Sequence, residues 1–137
     1  MGIIYEEITL KNAFDVANCR RGLIKEHEIR QKTIQAVVDT GAATLVINNE
    51  LRQELGLEMC GTSPARQADN KPIIVNVAEP VEVHWKNRSM TCQPWVASES
   101  GSILLGAIPL ENLDIIIDPN LQILVGAHGE EIEFLLL

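Results

Sequence analysis

Basic residues are scarce in this chain: 11 Lys and Arg stand against 19 Asp and Glu, a net charge of −8 over 137 residues. A phosphate-binding surface needs clustered Lys and Arg, so nucleic acid is not an expected partner. Long apolar runs are lacking too. The longest, Ile103–Leu110 (ILLGAIPL), falls well short of the roughly 20 residues that cross a bilayer, so no membrane partner is expected. The N-terminus, MGIIYEEITL, carries acids where a secretory signal needs a basic flank and an apolar run. Glu6 also stands where a myristoylation signal has Ser or Thr. Cysteine is limited to Cys19, Cys60 and Cys92, an odd count without paired spacing. A disulfide framework is therefore not expected, and a reducing, cytoplasmic location is. His27, His84 and His128 are isolated and lack metal-ligand spacing, so neither metal nor cofactor is expected.

What is present is enough for a core. A hydrophobic fraction of 46% excludes general disorder, and the length fits one domain over residues 1–137. Short β-type segments recur at Ile3–Leu10, Ile29–Val38, Thr44–Ile47, Ile73–Val77, Val81–Trp85, Thr91–Ala97, Asp114–Asp118 and Gln122–Val125. Pro94 interrupts one of them and marks it as an edge. A short helix is expected from about Asn49 to Leu55, with Asn caps before it and Gly56 after it. Leu110–Leu113 offers a second helical turn. The polar stretch Gly61–Pro72 (GTSPARQADNKP) reads as an exposed loop or hairpin tip. Many short strands and little helix predict a mainly β protein.

One segment carries chemistry. Val37-Val38-Asp39-Thr40-Gly41 places an ionisable residue at the end of an apolar strand, where desolvation penalises its charge. Thr40 adds a hydroxyl, and Gly41 permits close backbone approach. A faint echo follows 65 residues after Gly41, where Ile103-Leu104-Leu105 runs into Gly106 and then PLENL. Taken alone, D-T-G is compatible with a simple turn.

The order VVDTGAATLVI, short helix, polar hairpin tip, ILLGAIPLENLDIIID resembles the retropepsin-like aspartic proteases, and is more similar to their bacterial members. The resemblance covers about residues 29–125, leaving 1–28 as an N-terminal strand extension with Cys19-Arg20-Arg21 in its connecting loop. It implies a closed β-barrel of the acid-protease type with one or two short helices, assembled as a homodimer. It implies a catalytic Asp39 supported by Thr40 and Gly41. Around it, Ala42, Ala43, Leu105 and Gly106 would contact substrate, with Ala68, Asp69 and Asn70 as the flap. Departures are visible as well. Retroviral relatives follow D-T-G-A with acidic residues, one of which pairs with an Arg after the second Gly; here Ala42-Ala43-Thr44 and Ala107 stand instead. The flap tip has no glycine, although Asp69-Asn70 tolerates the positive φ of a tight turn.

An aspartic protease needs two carboxylates sharing a proton, and this chain has one D-T-G. A twofold dimer supplying Asp39 twice is the simple solution. Such a dyad titrates as a pair, one pKa low and one raised, giving an acidic to near-neutral optimum. The resemblance further implies that Thr40 locks the two loops across the axis. The apolar tail Ile132–Leu137 is a candidate dimer strand, with packing on its own subunit as the alternative. The function expected is peptide-bond hydrolysis on a peptide or protein substrate. The alternatives are a catalytically weak or inactive peptide-binding or dimerisation module, and a protease with a single maturation target. Asp118 and Asp114 read as turn formers rather than second catalytic acids, and Trp85 and Trp95 as core or rim residues, with a pocket wall left open.

Overall fold

The first strand does not sit at the margin of the fold but near its middle. In this computed structural model, which describes residues 3–67, 69–118, 120 and 123–128, β1 (Tyr5–Asn12) pairs antiparallel with both β2 (Gln31–Val38) and β6 (Val81–Trp85). The expected extension is therefore integral to the sheet. Its inward side chains, Ile8 and Leu10, are fully buried, while alternate positions face outward.

At Asn12 the strand turns directly into a helix, α1 (Ala13–Arg20), so Cys19 and Arg20 are helical and not in a loop as expected. The buried Asn12 caps this helix by accepting the Asp15 N–H (3.1 Å) and also donates to the Leu55 carbonyl (2.9 Å). Asp15 in turn receives Arg30 at both carboxylate oxygens (Nε 2.8 Å, Nη2 2.9 Å) and the Arg30 backbone N–H (3.0 Å). That paired Arg30 side chain holds the carboxyl below its ordinary pKa, burial opposing the shift.

Asp39 directly follows β2, and the chain returns as β3 (Leu45–Asn48) and α2 (Asn49–Glu54). The helix lies where Asn caps and a Gly stop place it: Asn48 accepts the Leu51 N–H (2.8 Å), and Gly56 takes φ +66°. Next come a long hairpin, β4 (Met59–Arg66) and β5 (Pro72–Ala78), then β6, β7 (Arg88–Cys92), β8 (Trp95–Ser98) and the two-residue β9 (Leu104–Leu105). After α3 (Ala107–Asn112), β10 (Ile115–Asp118) and β11 (Ile123–Gly126) form a separate hairpin. The tail Ile132–Leu137, expected at a dimer sheet, lies outside the described residues.

Nine strands form one sheet in the order β4-β5-β8-β3-β9-β2-β1-β6-β7. The expected closed barrel is not formed among the described residues: β4 and β7 are two unpaired edges. Pro94 also does not mark an edge strand. It lies between β7 and β8, and β8 pairs on both sides, with β3 and β5. Leu45, Ile47, Leu55, Leu57, Val81, Val83, Leu105 and Leu113 fill the core without measurable exposure or nearly so.

Consecutive strands β2 and β3 are not neighbours, because β9 is inserted between them, parallel to β2 and antiparallel to β3. The loop 39–44 must therefore arch over the exit of β9. This crossing builds the site.

Candidate active site

Three backbone hydrogen bonds fix the arch. Asp39 N–H donates to the Leu105 carbonyl (3.0 Å), Ala107 N–H to Ala42 (2.8 Å) and Ile108 N–H to Ala43 (3.0 Å). The last two also satisfy amides at the start of α3, which has no side-chain cap. Gly106 sits inside the crossing. A Cβ there would meet the Thr44 carbonyl oxygen at 2.3 Å and that of Ala42 at 2.6 Å. Space, not a special φ, demands glycine, since φ is −90°.

Within the arch, Asp39 is half-buried, and its Oδ1 accepts the Gly41 N–H at 2.9 Å. This short turn aims the carboxylate into a groove of about 710 Å³. Asp39, Gly41, Ala42 and Ala43 form its floor; Val46, Leu104, Trp95 and Ala97 form one wall; Ile73, Val75, Ala65, Arg66 and Gln67 of the β4–β5 hairpin form the other. Asp39 is the sole carboxylate among these lining residues. The hairpin's turn is braced by Asn70 N–H to the Gln67 carbonyl (2.8 Å), Gln67 N–H to Lys71 (3.0 Å) and Lys71 N–H to Asp69 Oδ1 (3.1 Å). Asn70 has φ +69°, the left-handed conformation that Asn tolerates well.

Not every expected residue faces this groove. Thr40 is exposed and lines a second hollow of about 430 Å³ instead, with Ala107, Leu110, Ile115 and Ile116. Leu105 and Gly106 are buried and do not line the groove; Leu104, one residue earlier on the opposite face, does. Asp69 and Asn70 shape the turn without lining the groove, and Ala68 lies outside the described residues. Asp118 lines neither hollow; its Oδ1 accepts the Asn120 N–H (3.0 Å), as a turn former does. Asp114 takes φ +56° and accepts His128 N–H (3.0 Å).

The apolar walls were missed by sequence reasoning, apart from the option left open for Trp95. Alternation along β5 and β8 could have exposed them: Ile73 and Val75 share one face, as do Trp95 and Ala97. Among the described residues, no three metal-ligating side chains come together, and no helix is long and apolar enough to cross a membrane.

The geometry can be set beside known proteins. No curated sequence matches the chain. A solved structure, of a retropepsin-like aspartic protease from Rickettsia conorii, aligns at 18% identity with a TM-score of 0.42. That alignment covers 86% of this chain and 89% of the other. A family model described as Aspartyl protease matches residues 26–127, from ahead of β2 through the D-T-G arch and the hairpin to the end of β11. The chain belongs to the aspartyl protease family.

Proposed function

We propose that this protein is an aspartic endopeptidase working as a homodimer, with Asp39 from each subunit at a shared site. The observation that carries the reading is the position of Asp39: it is the one carboxylate lining a groove of about 710 Å³ walled on one side by the β4–β5 hairpin. One carboxylate cannot both activate water and protonate the substrate carbonyl, so a second copy must supply the other. Apolar surface beside the arch supports this. Thr40 opens onto the second hollow, and nearby Ile108 and Ile116 are about half exposed, surface that a second copy would cover.

In the dimer the two carboxylates share one proton. The ionised one takes a proton from water as that water attacks the scissile carbonyl, and the protonated one donates to the carbonyl oxygen. The Gly41 N–H holds Asp39 Oδ1 in place throughout. The substrate backbone lies along the β4–β5 hairpin like an added strand, and the hairpin excludes water on closing.

Sedimentation from about 1 to 100 μM, spanning common interface affinities, tests assembly, and peptide-library cleavage tests chemistry. A dimer whose cleavage falls by about 10³-fold or more in Asp39→Asn supports the reading. A chain that stays monomeric, or activity independent of pH between about 4 and 8, overturns it. A non-cleaving peptide-binding module is the second reading, favoured by Ala42 and Ala43 standing where retroviral relatives anchor substrate with acids. It predicts peptide binding unchanged by Asp39→Asn and no cleavage by either form.

A further inference from the structure

We infer that Arg66 sets the substrate preference of the groove, by pairing with an acidic side chain on a peptide whose neighbouring residues are apolar. The inference rests on the peptide-binding reading of the groove, and deepens it.

The groove is chemically lopsided. Its walls are aliphatic or aromatic at Val46, Ile73, Val75, Trp95 and Leu104, so side chains lying on them bury apolar area and exclude charge. Two charged groups line it: Asp39 on the floor and Arg66 on the hairpin. Acidic residues are absent from the positions after the D-T-G, where Ala42 and Ala43 stand, so no floor carboxylate other than Asp39 faces the guanidinium. Among the described residues, Arg66 makes no ion pair; its bond is from Nη1 to the Asn70 carbonyl (3.0 Å). That bond tethers the guanidinium to the braced turn and pre-sets its direction, which lowers the entropy lost when a ligand binds. Nη2 and Nε keep donor capacity for a carboxylate.

The surrounding charge makes the point selective. The chain carries −8 overall, so an acidic peptide is repelled from most of the surface and finds compensation at this cation. It is also repelled by Asp39 itself. The acidic residue of the substrate must then lie toward the hairpin tip and away from the scissile bond, where apolar residues sit.

Cleavage of a random decapeptide library, read by mass spectrometry, gives the preference directly. Matched peptides differing by Glu, Gln or Lys at the enriched position then give kcat/KM. Wild type is expected to favour Glu over Gln by about 10-fold, less at high salt. Arg66→Gln should erase that ratio, and Arg66→Glu should invert it toward Lys. A purely structural role in bracing the turn slows all three peptides alike and leaves the ratio unchanged, which overturns the proposal. Binding is measured separately by capturing the same library on Asp39→Asn and on its Arg66→Glu double variant. Asp and Glu enrichment on the first and its loss on the second supports the proposal even if no peptide is cleaved. Absence of that enrichment overturns it. Cleavage without acidic preference leaves the protease reading standing and removes this one alone.

Discussion

The Ala42 carbonyl oxygen lies 2.8 Å from the Ala107 amide that donates to it and would lie 2.6 Å from a Cβ placed on Gly106. The arch and the β9 exit are therefore in backbone contact. Gly106→Ala must push the arch outward, because both obstructing atoms are main-chain oxygens and cannot swing aside. We expect a loss of about 3 kcal/mol by urea denaturation, in the upper range for overpacking. Any residual fold should show cleavage reduced more than its folded fraction explains.

The paired Asp15 and Arg30 give a pH-dependent contribution. Asp15 titrates below 3.8 in the folded chain. Its stabilisation is therefore fully present above the unfolded value and disappears as pH falls through the folded one. Arg30 is half exposed, which weakens the pair by solvent screening. Asp15→Asn should cost about 2 kcal/mol at pH 7, on the scale of hydrogen bonds to charged groups. Thermal melts at pH 7 and pH 3 check it: the gap between wild type and variant should shrink at the lower pH.

Cysteine reactivity should be uneven. Burial pushes the Cys92 thiol up to about 11, a hydrogen bond with Thr44 opposing the shift, whereas Cys60 is exposed. At pH 8 iodoacetamide should modify Cys60 well before Cys92, as peptide mapping would show. Early labelling of Cys92 would mean that β7 opens locally.

The hairpin turn depends on Asn70 holding φ +69°. Asn70→Gly should keep it, while Asn70→Val adds about 1–2 kcal/mol of left-handed strain. Trypsin should then cut after Arg66 faster in the valine variant only, since Pro72 shields the bond after Lys71.

Much of this was legible in the sequence, where local chemistry decides the outcome. Asn48 and Gly56 bound α2 by capping and positive φ, both encoded within a few residues. The Asp69-Asn70 turn is legible for the same reason. Helix α1 is not, because the groups that hold it are remote: its cap Asn12 reaches Leu55, and its buried acid pairs with Arg30 fifteen residues on. The D-T-G setting singled out Asp39, which the structure places in the groove, while the groove walls come from strands far apart in the chain. Pro94 misled because a proline between strands resembles one within a strand; here it is buried, and its carbonyl accepts the Ala78 N–H (3.0 Å). For Leu104 and Leu105, two adjacent leucines carry no pattern saying which faces the core.

The central place of β1 bears on how the chain can be handled. Cutting it back to the residues that carry the family match, 26–127, would remove the strand that joins β2 to β6. Two rows of backbone amides and carbonyls would be laid bare in the middle of the sheet, together with the core that Ile8 and Leu10 cover. Such a fragment presents sticky margins to its own kind and should aggregate rather than fold. During synthesis the same geometry imposes a wait: β1 has no second neighbour until residues 81–85 have followed it.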